Sequence, residues 1–419
     1  MPNDRIIATY RIETAHPLEF AASVIAGEQS CGTFVRVPGE TDELRANHSA
    51  RVERITEIEI VAEPALPFSK PPKGTQTVKR AEIVLSFPLA NMGASLPNLM
   101  ATVTGNLFEL REFSGLKLLD LELPEAFAEK YQGPQFGVAG TRQLTGVFDR
   151  PIIGTIVKPS VGLAPAQTAE LVKTLIEAGL DFIKDDELMA NPPHSPFNER
   201  VKAVMRVINE HADRTGKKAM YAFNVTDEID AMLLHHDTVL QAGGTCVMAS
   251  LNHTGYPAIT HLRRHSQLPI HGHRNGWGML TRSPYLGIEF LAYQKVWRLA
   301  GVDHLHCNGL RNKFWEPDDS VMASAHACLT PLSENKPYLT MPVLASAQWA
   351  GQTVATYQRL GSVDLMYVCG GGIVAHPGGI AAGVISIQQG WEAAITGVSL
   401  EEYAKDHLEL RQAIEKFGA

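Results

Sequence analysis

From residue 152 onward, short apolar segments and amphipathic stretches alternate eight times. The apolar segments are IIGTIVK, LDFIKDD, KAMYAFNV, TCVMAS, LPIHGHR, DHLHCNG, MPVLAS and LMYVCGG; the intervals between them include TAELVKTLIEAG, FNERVKAVMRVINEHA, DEIDAMLLHHDTVLQAG and IEFLAYQKVWRLAG. A continuous apolar strand must be covered on both faces, so strands of this kind belong to a parallel sheet with helices packed over it. Eight strand–helix units in about 240 residues match the usual length of a (β/α)8 barrel, and an open doubly wound sheet seldom needs so many. Residues 141–419 are therefore predicted to form a C-terminal (β/α)8 (TIM) barrel in an α/β chain. Active sites in such barrels lie at the C-terminal ends of the strands. That is where this chain turns polar: Lys158, Lys184 to Glu187, Asn224, Asn252, His271 to Arg274, His304 to Asn308, Ser346, and Gly370 to Gly372.

Residues 1–140 read differently. RIIATYRI, GTFVRV, ARVERITEIEIVA and KRAEIVLSFP are β-branched and largely alternating, whereas FAASVIAG and ASLPNLMATVTG have helical character. This predicts an N-terminal ferredoxin-like α+β domain with an open antiparallel sheet. GPQFGVAGTRQLTGVFDRP, 133–151, is rich in Gly and Pro and reads as a connector. A net charge of −8 over 419 residues argues against nucleic acid or an acidic membrane surface as partner. The N-terminus lacks a signal-peptide layout, and no apolar run approaches the roughly 20 residues needed to cross a bilayer. Five scattered cysteines imply neither a disulfide framework nor a zinc knuckle. A cytoplasmic protein is expected.

The chemistry concentrates at the rim. In FIKDDE, 182–187, strand period two puts Lys184 and Asp186 on one side, with Glu187 at the strand end. A buried lysine loses its charge readily, and its neutral amine can combine with CO2 to give a carbamate. With Asp186 and Glu187, that carbamate would make three hard oxygen ligands suited to Mg2+. The alternative is an exposed Lys–Asp pair at a strand end. Lys158 in GTIVKPS ends the first barrel strand and is a candidate acid or base facing the same site. HGH, 271–273, and HLH, 304–306, each place two histidines on one strand face, as zinc ligands or as core histidines. Arg274 follows directly, and its guanidinium suits phosphate. The glycines of CGGGIVAHPGGIAAG at 370–372 offer bare N–H groups for a phosphate. Lys313, in NGLRNKFWE, lies on a predicted loop and is a lid candidate able to bring positive charge onto a substrate.

GLDFIKDDE, GTIVKPSVGL, HGHR, DHLHCNG with Lys313 beyond it, and CGGGIVAHPGG together resemble the large subunit of ribulose-bisphosphate carboxylase, in the same order along nearly the whole chain. GEQSCGTF, 27–34, and VTGNLFEL, 103–110, extend the resemblance to the N-terminal part. It implies that Lys184 is carbamylated, that Asp186 and Glu187 join the carbamate on Mg2+, and that Lys158 handles a proton. It places His273 near the reacting hydroxyl, Arg274, His306 and Ser346 on one phosphate, and Thr33, Gly370 and Gly371 on another. Glu28, Phe34 and Asn106 are implied as further substrate contacts. It also implies a homodimer or a multiple of dimers, with no small subunit expected.

Departures narrow the subclass. Ser160 stands where the carboxylases usually carry a second lysine, Gln348 replaces a phosphate-contacting glycine, and Trp277 stands where a histidine is usual. These changes disfavour ribulose-bisphosphate carboxylation and resemble the RuBisCO-like (form IV) proteins that do not fix CO2. Methionine-salvage enolases of that group typically replace the asparagine matching Asn106 with lysine; here Asn106 and Lys158 are both kept. The chemistry implied is an enediolate held on Mg2+, reached by proton loss from a ketose or CO2 loss from a β-keto acid. A lid lysine has little to do in a plain enolase and suits a carboxylate. The expected activity is therefore that of a decarboxylase or transcarboxylase/hydrolase on a phosphorylated keto sugar acid, such as 3-oxo-isoapionate 4-phosphate. Rivals are a ketose 1-phosphate enolase or isomerase, a zinc hydrolase of the amidohydrolase type, and a catalytically inactive binding protein. The zinc hydrolase would need an HxH on the first strand, which IIGTIVK lacks.

Overall fold

The computed structural model describes residues 4–32 and 37–418. They form two compact units. One comprises residues up to Gln132 with Gly276–Ala300 and Ser333–Lys336; the other comprises Gly133–Asn275, Gly301–Leu332 and the chain from Pro337.

The first unit runs β1 (Arg5–Thr14), a helix (Leu18–Glu28), β2 (Arg51–Val61), β3 (Val78–Pro88), a helix (Leu96–Val103) and β4 (Phe113–Glu122). The strands pair antiparallel in the order β4–β1–β3–β2, which with this βαββαβ succession is the predicted ferredoxin-like arrangement. In β1 the alternate residues Ile6, Ala8, Tyr10 and Ile12 are fully buried, the period-two signature of a half-covered sheet. Ser95 caps the second helix by accepting from Asn98 N (3.4 Å), and Leu96, Leu99, Met100 and Val103 give it a buried stripe. Tyr10 donates to Val103 O (2.8 Å), tying that helix to the sheet.

The sheet is not purely antiparallel as expected. After the fifth barrel strand, the chain adds a short strand parallel to β4, pairing Leu286–Ile288 with Leu116–Leu118. Lys117 on β4 is buried and donates to Thr281 O and Ser283 O (both 2.7 Å). The helix Phe290–Ala300, predicted as a barrel helix, belongs to this first unit: Lys295 bonds Leu121 O and pairs with Asp120 (both 2.7 Å). Of the predicted strand GTFVRV, residues 33–36 lie outside the described residues.

All eight segments predicted as barrel strands are strands. They are β5 (Ile152–Ile156), β6 (Phe182–Lys184), β7 (Met220–Asn224), β8 (Cys246–Ser250) and β9 (Ile270–His273), and, counting Leu286–Ile288 as β10, β11 (His304–Asn308), β12 (Met341–Ala345) and β13 (Met366–Val368). They close a parallel barrel in the order β5–β6–β7–β8–β9–β11–β12–β13. Ile152, Phe182, Met220, Met248, Met341, Val343 and Met366 fill its core.

The segment read as a connector contains a helix, Gly137–Thr145. Its start is held by a residue far along the chain: Asp303 Oδ1 accepts from Phe136 N (2.6 Å) and Gly137 N (3.0 Å). The other oxygen of Asp303 accepts from Arg263 (2.8 Å) and Ile270 N (2.8 Å). Asp303→Ala would leave the buried Arg263 guanidinium uncompensated, so urea unfolding should show a loss of about 3–5 kcal/mol. A change below about 1 kcal/mol would contradict this joint capping and ion-pair role.

Candidate active site at the barrel mouth

The run FIKDDE splits as strand geometry predicts. Asp185 turns away from the barrel axis, accepting from Tyr221 OH (2.6 Å) and Asn224 N (3.0 Å) and pairing with Arg200 (3.3 Å). Lys184 and Asp186 take the other side. Lys184 is 1 % exposed; its Nζ donates to Asp185 O (2.9 Å) and lies 3.7 Å from Glu187 Oε2. The exposed-pair alternative is thus excluded for Lys184. Burial pushes the Lys184 pKa below the ordinary lysine value, outweighing the pull of Glu187, Asp186 and Asp185. Asn224 bonds Asp186 O (3.3 Å) and Glu187 O (3.1 Å), so the strand end carrying both acids is held by its neighbour β7.

Lys158 donates to Asp186 Oδ2 and to Ser160 Oγ, both at 2.7 Å. Burial opposes ionisation of Asp186, but the Lys158 hydrogen bond and the Leu188 N–H outweigh it and hold that carboxyl below its usual range. His273 Nε2 lies 3.6 Å from Glu187 Oε2, and its Nδ1 accepts from Asn275 N (3.3 Å), which leaves the ring proton on Nε2. Burial, then the charge of Lys184, lowers the His273 pKa to about 4. Lys158, Lys184, Asp186, Glu187 and His273 therefore form one connected cluster.

Arg274 and Ser346 directly follow the barrel strands β9 and β12, and His306 lies within β11 between them. Arg274 donates to Glu316 Oε2 (2.8 Å), which also accepts from Asn308 Nδ2 (2.6 Å). The Ser346 hydroxyl is buried and has no hydrogen-bond partner among the described residues. Ser346 and Ala347 sit at φ of 77° and 55°, a strained backbone of the kind found at ligand sites. Beyond β13, a Cβ on Gly371 would meet nothing within 4 Å, and one on Gly370 only Ile156 at 4.0 Å. Protein packing does not require glycine there, whereas at Gly372 a Cβ would strike Gln348 O at 2.4 Å. Lys313 is exposed, with Nζ 5.3 Å from the Phe314 ring centroid.

In the first unit, Glu28 ends the helix Leu18–Glu28 and Asn106 precedes a short 3-10 turn; both are exposed. The side chain of the intervening Gln29, with its amide oriented to accept from Asn106 N (3.1 Å) and donate to Thr102 O (3.1 Å), ties the two segments together. Thr33 and Phe34 lie outside the described residues. The HGH and HLH histidines point into the barrel and bond one another, with His271 Nε2 to His306 Nε2 at 2.7 Å. A metal-capable grouping occurs elsewhere, in the helices Ile229–Gln241 and Leu251–His265, where Asp237 Oδ1 already bonds His236 (3.0 Å) and His265 (2.6 Å).

Family models for the ribulose bisphosphate carboxylase large chain match this sequence, the N-terminal domain over residues 1–127 and the catalytic domain over 137–417. The chain belongs to the RuBisCO large-chain family. A 3-oxo-isoapionate-4-phosphate decarboxylase of Rhizobium etli is 49% identical over 99% of both chains. A 3-oxo-isoapionate-4-phosphate transcarboxylase/hydrolase of Xanthobacter autotrophicus is 51% identical over 98% of this chain and 99% of its own. The crystal structure of a rubisco-like protein from Burkholderia fungorum superposes with a TM-score of 0.93 at 48% identity, covering 99% of this chain and 100% of that one. The ribulose-1,5-bisphosphate carboxylase/oxygenase of Pyrococcus horikoshii gives 0.87 at 29%, covering 99% and 95%.

The RuBisCO-like departures have structural counterparts. Ser160 accepts the Lys158 ammonium. Gln348 is buried, donates to Leu310 O (3.0 Å) and Ser346 O (2.7 Å), and lies where a Cβ on Gly309 would come within 2.1 Å of its side chain. Glu316, the anchor of Arg274, escaped the sequence reading. Nothing in NKFWEPDDS sets it apart from the two aspartates that follow.

Proposed function

We propose that this chain is a Mg2+-dependent, carbamyl-lysine enzyme acting on a phosphorylated keto sugar acid, as 3-oxo-isoapionate-4-phosphate decarboxylase or as the corresponding transcarboxylase/hydrolase. The observation that carries this reading is near-50% identity, end to end, to relatives bearing those two names. The donor set fits the implied groups. A buried amine with a lowered pKa, Lys184, has two carboxylates for neighbours, and a carbamate there would complete a set of hard oxygen donors. Mg2+ bound by Lys184, Asp186 and Glu187 would supply positive charge where an oxyanion develops.

The remaining chemistry falls to the chain itself. Arg274, held in place by Glu316, and the Ser346 hydroxyl, which has no partner among the described residues, offer donors to a phosphate, and Gly370 and Gly371 offer open backbone to a second anionic group. In decarboxylation the bond to the carboxylate carbon breaks, its electron pair stays on the α-carbon as an enolate, and CO2 departs. A proton must then reach that carbon; Lys158, hydrogen-bonded to Asp186 and Ser160, holds one nearby. Neutral His273, with its proton on Nε2, can donate to a substrate oxygen. Lys313 is the proposed cation for the departing carboxylate; Glu28, Thr33, Phe34 and Asn106 are proposed substrate contacts. A homodimer or multiple of dimers is part of the proposal, in keeping with the dimeric Hyperthermus butylicus and octameric Pyrococcus horikoshii carboxylases. So is a cytoplasmic location; no helix among the described residues is long and apolar enough to cross a membrane.

Mass-spectrometric product analysis tests the activity: pure protein, Mg2+ and bicarbonate are incubated with a panel of phosphorylated keto acids. Loss of one CO2 from a 3-oxo acid phosphate, or release of its carboxyl carbon within a hydrolysed acid, is expected. Solvent deuterium exchange into a ketose phosphate with no loss of carbon would overturn the proposal in favour of an enolase.

A further inference from the structure

The barrel interior between β9 and β11 carries a file of three imidazoles, His304, His271 and His306, to which the proposed chemistry assigns no step. His304, at the start of β11, pairs in register with His271 on β9. Two residues further along each strand come His306 and His273, whose ring centroids lie 4.4 Å apart at the mouth. The file begins at Thr141, in the helix Gly137–Thr145 whose start Asp303 caps. The Thr141 hydroxyl lies 2.9 Å from His304 Nε2; His304 Nδ1 lies 3.3 Å from His271 Nδ1; His271 Nε2 lies 2.7 Å from His306 Nε2. Thr141, His271 and His304 are fully buried, and His306 is 7 % exposed.

Proton counting gives this file a direction. A hydroxyl has one proton, and Thr141 donates its own to Gly137 O, one turn back in the helix. Toward His304 it can therefore only accept, so the His304 proton sits on Nε2 and its Nδ1 is bare. Burial holds the His304 pKa near 3 and those of His271 and His306 well below the ordinary histidine value, so each ring has one proton to place. His271 must then donate from Nδ1 to His304, leaving its Nε2 bare, and His306 must donate from Nε2 to His271. The reverse direction would turn the Thr141 proton toward His304 and set two oxygen lone pairs against each other at Gly137 O. His306 Nδ1, at the mouth, has no hydrogen-bond partner among the described residues.

We propose that Thr141 is a positioning residue: through His304 and His271 it fixes the His306 proton on Nε2, so that His306 meets the ligand with Nδ1 as a hydrogen-bond acceptor, suited to a substrate hydroxyl rather than to phosphate oxygen. This departs from the phosphate contact that the family resemblance implies at His306. It rests on the proposed function only in taking the barrel mouth as the site.

The test begins without substrate. In 15N-histidine-labelled protein, with His306 assigned by difference from His306→Gln, solid-state 15N spectra should show His306 protonated on Nε2. Thr141→Val keeps the shape and removes the hydroxyl; an unpaired His304 Nε2–H would then be left in the core, and the file should reverse, moving the His306 proton to Nδ1. Thr141→Ser should restore the wild-type pattern. With substrate, kcat/KM should fall roughly 10-fold in Thr141→Val, the value of one neutral hydrogen bond, and return in Thr141→Ser. A wild-type His306 protonated on Nδ1 would overturn the inference even if neither Thr141 variant folds, as would a Thr141→Val protein with an unchanged tautomer. Failure of every keto acid in the product panel would instead count against the proposed activity and leave the tautomer result standing.

Discussion

Lys184→Ala is expected to lower turnover by at least about 10³-fold, equivalent to roughly 4 kcal/mol of lost transition-state stabilisation, and to abolish dependence on Mg2+ and bicarbonate. The amine is buried at the end of β6 with Glu187 as its nearest acid, and burial already weakens its hold on a proton. Removing it takes away the group that would accept CO2 and with it one of the three proposed oxygen ligands. The fold should not suffer in proportion. Alanine removes a desolvated amine from an apolar strand while Asp185 keeps its bonds to Tyr221, Asn224 and Arg200. Thermal unfolding close to wild type, together with lost turnover, would place the defect in the chemistry. Steady-state kinetics with and without added bicarbonate checks this; full activity in the variant would remove Lys184 from the mechanism.

Lys313→Ala is expected to cost about 10²-fold in decarboxylation while lowering exchange of the substrate's own carbon-bound proton with solvent by far less. Its ammonium is exposed and lies 5.3 Å from the Phe314 ring centroid, so its removal leaves no buried partner unpaired. A selective effect would show that its charge serves the carboxylate; equal losses in both rates would assign it a general binding role. Comparing CO2 release with deuterium exchange on the same substrate separates the two.

The barrel was legible because its strands are buried on both faces, which leaves uninterrupted apolar runs such as KAMYAFNV and MPVLAS. The Lys184–Asp186 side of FIKDDE was legible for an equally local reason, since strand period two alone separates those residues from Asp185. What stayed hidden depends on partners distant in sequence. Helix Gly137–Thr145 looks like a connector because its cap, Asp303, comes from another part of the chain. β4, FSGLKLLDLE, breaks the expected alternation with Lys117, whose burial makes sense once Glu289 pairs with it and the carbonyls of Thr281 and Ser283 accept from it. Helix Phe290–Ala300 has the amphipathic pattern of a barrel helix, yet Lys295 fastens it to β4. Glu316 and Thr141 carry no local mark at all; their significance lies in Arg274 and in His304.

The most direct measurement is 13C NMR of the protein equilibrated with 13C-bicarbonate and Mg2+. A slowly exchanging carbamate resonance should appear, strengthen with Mg2+ and vanish in Lys184→Ala. Its absence from the wild-type protein at saturating bicarbonate and Mg2+, or its persistence in Lys184→Ala, would contradict a carbamylated Lys184 at the centre of this site.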